Sequence, residues 1–406
     1  MSEKGSNQSL VKNTNQMLII KTVRQRGKVS RSEIAKMLSL SNPSISKNVD
    51  DLIAKGLLVE TGSVVTDVGR RPIMLEFNAH HGCVAVIDLS SNDGRICIAD
   101  LDGNKIKYSR VEGGKIITKK NLEGIIITLR SMLADIGDRY GKLTCICIGV
   151  PGVIEPVTGH IHWSARIENY SELDLVKLFG DAFSVPVTVK NDVNLAVCGE
   201  RVFGCGNGAD SMIYLNIDAG IGAGIVIDGK LYEGGRGLAG DLGVIIPEIE
   251  KASGECSEHM QHVLENKLTY YCMINDTGKM LESGRETVLR TFVSDLSDLT
   301  FNDIVKAYGM GDEAVHEIMG RYARMIALLL KNLVSLFDVE MLVIGGPCTR
   351  LGSTFVNEIT EYMLKLPGYA TAQVRSSRLL DTAVIYGGMY TAAQVAIERI
   401  VEGEQK

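Results

Sequence analysis

The sequence predicts an α/β protein made of a small N-terminal module and a larger α/β body. Two observations support this prediction. In residues 1–78, three amphipathic segments precede two short apolar runs, whereas beyond them apolar runs repeatedly end in glycine turns or polar residues. The chain has 406 residues, 45% of them hydrophobic and 43 of them glycine, which is typical of a globular chain with two or three domains.

The N-terminal module has the element order of a winged helix-turn-helix. A first helix is expected over Asn15–Arg26, and Ser30 with Glu33 forms the capping-box pattern of a second helix that ends near Leu38. A third helix is expected from Asn42, because the following residue is a proline, which is tolerated in a first turn. The runs 57–60 and 73–77 would be the strands of the wing. Such modules insert the last helix into the major groove of DNA.

Residue types and charge both favour a DNA contact. Residues 1–78 hold 12 basic and 7 acidic residues, a net charge of +5, whereas the remaining residues hold 31 and 42, a net charge of −11. The start of the third helix would face the bases, and the Gly69–Pro72 wing loop would face phosphates. The expected DNA contacts are Asn42, Ser44, Ser46, Lys47, Asn48, Arg70 and Arg71. The alternative is a winged module that contacts protein.

In the body, the stretch 187–243 places polar groups directly after apolar runs. One run delivers the pair Asn191-Asp192, and the next delivers the glycine-rich turn Asp218–Gly224. A further glycine-rich segment, Gly237–Gly243, follows a hairpin expected at Asp228-Gly229. Open α/β sheets bind ligands beyond their strand ends, and glycines allow close backbone approach, so this stretch predicts a small-molecule site.

These motifs resemble the ROK family of sugar kinases and their repressor relatives. The resemblance rests on the patterns NDxNxAxxGE and DGKLYxGxxGxAGxxG, together with the glycine turn between them, and it extends over nearly the whole chain. It implies that the winged helix-turn-helix is followed by a two-lobed, actin-like ATPase/ribonuclease H-type sugar-kinase fold. The implied domains are residues 1–78 for the head, 79–195 with the C-terminal helix 383–401 for the first lobe, and 196–382 for the second lobe. No internal repeat is apparent in the sequence.

The resemblance also implies a set of sugar-binding residues: Asn191, Asp192, Asp241, Glu265 and Arg166. In family kinases the residue matching Asp192 is the general base, whereas in a repressor it need only bind sugar hydroxyls. A helix cap is the alternative role for Asp192. Arg166 stands where the family supplies an asparagine, so it either favours an acidic or phosphorylated ligand or lies on a solvent-facing loop.

Three departures from the kinase pattern argue against catalysis. The first phosphate loop, DxGGT in the family kinases, is Asp88–Asn92 here and lacks the glycines and threonine. In the second loop Ala219 replaces a hydroxyl residue and Asp218 adds a negative charge, which costs about 4 kcal/mol against a phosphate charge about 4 Å away at an effective dielectric near 20. We therefore expect no enzymatic activity and no cofactor. The family zinc segment retains Cys256, and with His259 and His262 it has poor ligand spacing, so no metal is expected.

The sequence therefore predicts a sugar-responsive repressor of the xylose-repressor type, with operator DNA and a sugar or sugar phosphate as partners. Xylose, glucose, an amino sugar or a sugar phosphate all remain possible. A homodimer, or a higher oligomer, is expected from the usual match of protein and operator symmetry. No apolar run reaches the roughly 18 residues of a membrane span, the N-terminus has no signal pattern, and the nine cysteines lack framework spacing, so a cytoplasmic protein is expected. The alternatives are a kinase with a fused DNA-binding head and a regulator without a sugar ligand.

Overall fold

The computed structural model describes residues 3–63, 73–245, 264–369 and 371–403. By its internal contacts the chain divides into two compact units. The first comprises Met1–Ile148, Arg166–Val189 and Gly388–Lys406, and the second comprises Gly149–Ala165 and Lys190–Gly387. This division differs from the sequence-based boundaries in two ways. The head clusters with the first lobe, and residues 149–165, 190–195 and 383–387 belong to the second unit.

The head is a winged helix-turn-helix, as predicted. Its elements are α1 (Glu3–Arg26), β1 (Val29–Ser30), α2 (Arg31–Leu38), α3 (Asn42–Ala54), β2 (Leu58–Ser63) and β3 (Ile73–Phe77). Strand β3 lies between β1 and β2 and is antiparallel to both. The predicted capping box of Ser30 and Glu33 starts α2. The helices pack through fully buried aliphatic side chains, which are Ile19, Val23, Ile34, Ile45, Val49 and Leu52.

The rest of the first unit is a five-stranded sheet with helices. Its elements are β4 (Gly82–Asp88), β5 (Gly94–Asp100), β6 (Lys105–Val111), α4 (Lys119–Ile136), β7 (Lys142–Val150), α5 (Leu175–Phe183), β10 (Val187–Asn191) and the C-terminal helix α11 (Ala383–Glu402). The strand order is β10-β7-β4-β5-β6. Every residue of β4 and β5 is buried, which places the hydrophobic core around the middle of this sheet.

The second unit contains another five-stranded sheet. Its strands are β11 (Met212–Ile217), β12 (Ile221–Ile227), β13 (Lys230–Leu231), β14 (Met341–Gly345) and β15 (Gln373–Ser376), and a separate pair is β8 (Val153–Ile154) with β9 (Ile161–Trp163). Its helices are α6 (Asp192–Phe203), α7 (Tyr270–Glu282), α8 (Phe301–Gly309), α9 (Glu313–Phe337) and α10 (Gly352–Lys365). The order is β13-β12-β11-β14-β15, with β11, β14 and β15 parallel.

The two large sheets have the same topology. When the strands of each sheet are numbered along the chain, both follow the order 3-2-1-4-5, and in both the first three strands are antiparallel neighbours. This is the duplicated arrangement expected of an actin-like, ribonuclease H-type protein, and it confirms the predicted fold class. Within the described part of the chain, no helix is long and apolar enough to span a bilayer.

Candidate ligand site and nucleic-acid interface

Asn191 and Asp192 lie where β10 passes directly into α6. Asn191 is the N-cap: its Oδ1 accepts from the backbone N of Asn194 at 3.0 Å, and its Nδ2 donates to the carbonyl of Gly152 at 2.9 Å. The capping role considered for Asp192 therefore belongs to Asn191. Asp192, the first helical residue, is half-buried at the N-terminus of α6, where the helix dipole interacts favourably with a negatively charged side chain.

Glu265 lies against the glycine-rich turn between β11 and β12. A Cβ atom added to Gly220 would come within 2.6 Å of the Glu265 Oε1 atom. The Glu265 carboxylate therefore lies next to the backbone of residue 220, and a side chain at that position would displace it.

Asp241 is placed next to the same β11–β12 hairpin by its neighbour Gly240, which bonds to strand β12. The backbone N of Ala223, in β12, donates to the carbonyl of Gly240 at 2.8 Å. Gly240 has φ +87°, and a Cβ there would collide with the carbonyl of Ala223, so the close approach requires glycine. Asp241, the next residue, is exposed. The start of α6 also meets this strand, because a Cβ on Gly224 would lie 2.6 Å from the carbonyl of Val193.

Three carboxylates are thus held around one hairpin of the second unit. Asp192 is held through the first turn of α6, Asp241 through Gly240, and Glu265 by contact with Gly220. The three residues are tens of positions apart in the sequence. Residues 220–224 are contacted by Glu265 itself and by Val193 and Gly240, the chain neighbours of Asp192 and Asp241. Carboxylate oxygens accept hydrogen bonds from several hydroxyl groups at once, so the arrangement suits a polyol such as a sugar.

A short loop next to Asn191 contains residues that the sequence analysis did not select. The Gly152 carbonyl that accepts from Asn191 lies in it, and the Ser164 hydroxyl donates to the carbonyl of Pro151 at 2.7 Å. Trp163, which pairs with Val153 across β8 and β9, has a side chain that is 45% exposed. It is the only tryptophan of the chain, and that rarity was the one sequence signal available.

Lys190, which the sequence motifs did not single out, also holds the segment before Asn191 in place. Its Nζ lies 3.1 Å from the Oε1 of Glu233 and donates to the carbonyl of Pro156 at 3.1 Å. Both partners of the ion pair are mostly buried, at 17% and 22% side-chain exposure. Lys190, the residue before Asn191, therefore connects the segment after β13 with the loop after β8.

Arg166 is assigned to a different compact unit from Asp192, Asp241 and Glu265. It belongs to the first unit, and its guanidinium donates to the carbonyls of Ser90, Ser91 and Gly114 at 3.0, 2.9 and 3.0 Å. It also reaches the side-chain oxygen of Asn92 at 3.3 Å. The sequence suggested a ligand contact or a solvent-facing loop for Arg166. These contacts support a different role, in which Arg166 holds the loop after β4 in place.

The loop after β4, which the family resemblance aligns with the first phosphate loop of ROK kinases, is held by hydrogen bonds and an ion pair of buried Asp88. Asp88 is fully buried, and its Oδ1 accepts from the backbone N and the hydroxyl of Ser90 at 2.8 and 2.6 Å. The other oxygen lies 3.0 Å from Nη2 of Arg95, which is 6% exposed. The charge of Asp88 is therefore balanced by Arg95 within the protein. The carbonyls of Ser90 and Ser91 in the same loop accept hydrogen bonds from Arg166.

Asp218 places a negative charge after β11. Its Oδ1 accepts from the backbone N of Ala219 at 2.7 Å, which fixes the carboxylate in the turn. Burial, followed by the charge of Asp218, raises the pKa of the Cys348 thiol, just beyond β14, to about 12. The charge thus acts at the carboxyl ends of two parallel strands, where a phosphate would otherwise be favoured.

Some predicted residues fall outside the described part of the chain. These are Arg70 and Arg71 of the wing and the three metal-ligand candidates Cys256, His259 and His262. Within residues 3–63, 73–245, 264–369 and 371–403, no three His, Cys, Asp or Glu side chains are grouped to hold a metal ion.

The start of α3 presents a polar surface. Asn42 and Lys47 are exposed, and Ser44 and Ser46 are half-buried. Asn48 corrects the expectation: it is 7% exposed, and its Nδ2 donates to the carbonyl of Ser44 at 2.9 Å. Its side chain faces the interior of the head, so we exclude it from the DNA-contacting set.

Arg31 forms two ion pairs that connect the wing strand β2 with α3. Arg31 Nη2 lies 2.7 Å from Asp50 Oδ1 in α3, and its Nη1 lies 2.8 Å from Glu60 Oε1 in β2. One side chain at the start of α2 therefore joins the recognition helix to the wing. This arrangement keeps both DNA-facing elements in a fixed relation.

Comparison with known families and proteins agrees with this architecture. The ROK family model matches residues 84–395, and a winged helix-turn-helix DNA-binding model matches residues 12–59. A putative xylose repressor of Caldicellulosiruptor sp. (strain Rt8B.4) is 28% identical over 389 residues, covering 94% of this chain and 96% of its own. The DNA-binding transcriptional dual regulator NagC of Escherichia coli (strain K12) is 25% identical over 347 residues, covering 85% and 83%.

Solved structures show the same fold. A ROK family transcriptional regulator, a homologue of the E. coli MLC protein, superimposes with a TM-score of 0.81 at 21% identity, covering 96% of this chain and 98% of its own. A ROK family glucokinase from Streptomyces griseus, solved with glucose and AMPPNP, gives a TM-score of 0.64 at 22% identity, covering 77% of this chain and all (100%) of its own.

Proposed function

Because the chain belongs to the ROK family and begins with a winged helix-turn-helix, we propose that it is a transcriptional repressor whose operator binding responds to a sugar. The observation that supports this most is the placement of Asp192, Asp241 and Glu265 around one hairpin in a chain that also has a DNA-binding head. A hydroxyl-rich ligand and a polyanion are the partners that these two surfaces favour.

The chemistry of the site favours a neutral sugar. The three carboxylates would repel a phosphate or carboxylate group on the ligand. The amide of Asn191 is engaged at both ends, so it holds the site rather than offering a free donor. Arg166, the cation expected to receive an acidic group, is bound to the carbonyls after β4. D-xylose and N-acetylglucosamine are the first probes, because relatives are named xylose repressor and N-acetylglucosamine repressor.

We also propose that the chain transfers no phosphoryl group. The runner-up, a sugar kinase with a fused head, is favoured by Asp192, which lies at the positive end of α6 where a general base is expected. Against it stand the internally paired Asp88 and the charge of Asp218, both at the places where a kinase of this family holds phosphates. An ADP-release assay with each sugar distinguishes the two, because only the kinase produces ADP.

For the DNA interface we propose Asn42, Ser44, Ser46 and Lys47, together with Arg70 and Arg71 of the wing. The first four lie on the first two turns of α3 and are at least partly exposed. A homodimer would place two such helices on the half-sites of a palindrome. We propose a cytoplasmic location, because a regulator of this kind acts where the DNA is.

A thermal-shift screen tests the sugar site directly. The purified chain is screened against sugars, sugar phosphates and ATP–Mg²⁺. A ligand at about 100 times its Kd adds about 2.7 kcal/mol to the free energy of unfolding, a readable rise in Tm. We expect a rise with one neutral sugar and none with ATP–Mg²⁺.

Two variants control the screen. Asp192→Asn should lose the shift, since it removes an acceptor. Asp228→Asn should keep it, because Asp228 is an exposed residue just beyond the opposite end of β12, and its left-handed φ of 49° is one that asparagine tolerates. An ATP-dependent shift, or an equal shift in Asp192→Asn, would overturn the proposal.

A further inference from the structure

Lys55 joins the ends of two helices in the first unit. It is the C-cap residue of the recognition helix α3, and its Nζ donates to the carbonyl of Val401 at 2.6 Å. Val401 lies in the last turn of α11, where carbonyls have no partner within the helix. A lysine there satisfies such a carbonyl and complements the negative end of the helix.

The ammonium group of Lys55 is held by a polar cluster between α1 and α3. It lies 3.1 Å from Asp51 Oδ2 and donates to the Oε1 of Gln16 at 3.3 Å. Gln16 is fully buried and donates to the same Asp51 oxygen at 2.6 Å, and Lys12 pairs with it at 2.8 Å. These donors, Lys12 first, hold the pKa of Asp51 well below its usual range. The cluster fixes the direction of the Lys55 side chain.

Two other contacts seat the head on the first lobe. The Asn78 side chain donates to the carbonyl of Gly56 at 2.9 Å, and a Cβ on Gly56 would meet the ring of His81 at 2.5 Å. Arg24 lies 2.7 Å from Asp102 Oδ1 in the β5–β6 turn. The segment 78–82, which follows β3 of the head, therefore contacts Gly56 through both Asn78 and His81.

Helix α11 has residues in both units, and its last turn contacts Lys55. In the second unit, Gly387 packs against the carbonyl of Leu195, which lies in α6 one turn beyond Asp192. In the first unit, Gly388 packs against Val86 of β4. The helix then continues to Ile400 and Val401, which are 7% and 2% exposed. Both glycines allow contacts that any larger residue would break.

From this we infer that Lys55 is the positioning residue through which the C-terminal helix sets the orientation of the DNA-binding head. A change at α6 on sugar binding would reach the recognition helix through α11 and its bond to Lys55. This inference rests on the proposed function for its sugar response, whereas the bond itself is independent of any ligand.

Three variants of the full chain test it. Lys55→Met keeps the aliphatic stem and removes the ammonium group, and Lys55→Arg keeps a charged donor. Lys12→Met is the matched control, since it removes an ion pair from the same Asp51 but leaves the Lys55 bond to α11. Operator affinity is measured by anisotropy on a labelled duplex, selected from a random library by the wild-type chain, with and without saturating D-xylose.

In the wild type, we expect the operator Kd with D-xylose and the operator Kd without it to differ by roughly 5- to 150-fold. In Lys55→Met the two Kd values should agree within about twofold. Lys12→Met should keep the wild-type difference and Lys55→Arg should restore most of it, with sugar affinity of the DNA-free protein unchanged in all three. A wild-type difference in Lys55→Met, or an equal loss in Lys12→Met, would overturn the inference.

A second readout needs no sugar. Amide hydrogen exchange of residues 397–403 and 55–58 should be at least about tenfold faster in Lys55→Met than in Lys12→Met, since the junction opens locally. Equal exchange would overturn the inference even if no sugar acts on the wild type. A wild-type chain that ignores all sugars but shows this exchange difference would instead contradict the proposed function alone.

Discussion

Replacing Arg166 with alanine should destabilise the first unit and leave ligand choice unchanged. The guanidinium donates to three part-buried carbonyls, those of Ser90, Ser91 and Gly114, at 2.9–3.0 Å. A hydrogen bond to a charged group contributes about 1.5–3 kcal/mol. Because water can replace part of each bond at this half-buried site, we take about 1 kcal/mol for each and expect a total loss of about 3 kcal/mol.

This loss corresponds to a Tm that is lower by about 6–12 °C, at about 2–4 °C per kcal/mol for a unit of this size. Differential scanning calorimetry measures it. Arg130→Ala is the control in the same unit, because Arg130 is exposed, donates to the carbonyl of Ala182 at 3.1 Å and otherwise lies over the ring of Phe183, 5.7 Å from its centroid. Its effect should be within about 0.5 kcal/mol.

The reasoning would be refuted if Arg166→Ala kept the wild-type Tm while losing affinity for a sugar phosphate. That outcome would make Arg166 a ligand residue, as the sequence allowed, and would mean that its bonds to the loop after β4 contribute little.

Three further predictions follow from single contacts. Gly387→Ala should lower the Tm, because its Cβ would collide with the Leu195 carbonyl, whereas Gly309→Ala, with no atom within 4 Å of the added carbon, should raise stability by up to about 1 kcal/mol. The wild type should have a higher free energy of unfolding than Asp51→Asn, because the carboxylate is stabilised in the folded state. This difference should be complete above pH 3.8, the ordinary pKa of the acid, and should shrink as the pH falls towards the lowered native pKa of Asp51. Urea unfolding between pH 2 and 6 measures it. The fluorescence of Trp163, the sole tryptophan, should change when the sugar binds, and Trp163→Phe should abolish the signal.

The elements that local chemistry determines were predictable. Ser30 with Glu33 and the proline after Asn42 act within one helical turn, so the starts of α2 and α3 follow from neighbouring residues. The extent of β2, which continues to Ser63 rather than ending at residue 60, depends on pairing with β3 and was underestimated.

The duplicated topology could not be predicted from local pattern. Both sheets have the order 3-2-1-4-5, but their sequences show no repeat, because strand order is set by pairings between residues far apart in the chain. Only the family resemblance suggested it.

Within the candidate sites, the burial of Asn48 could have been predicted, whereas the hydrogen bonds of Arg166 could not. Asn48 lies three residues after Ile45 and four before Leu52, both fully buried, so helical periodicity places it on the inner face of α3. Arg166 and Lys55 donate to backbone carbonyls at positions 90, 91, 114 and 401 besides their side-chain partners, and a carbonyl has no signature in the sequence.

The most direct test of the central claim is an operator titration of the wild type and Asp192→Asn, each with and without D-xylose or the sugar that raises the Tm. The account predicts that the sugar changes the wild-type Kd by roughly 5- to 150-fold without ATP, and that Asp192→Asn binds DNA equally well but does not respond. No response to any sugar, or a response that requires ATP–Mg²⁺, would contradict it.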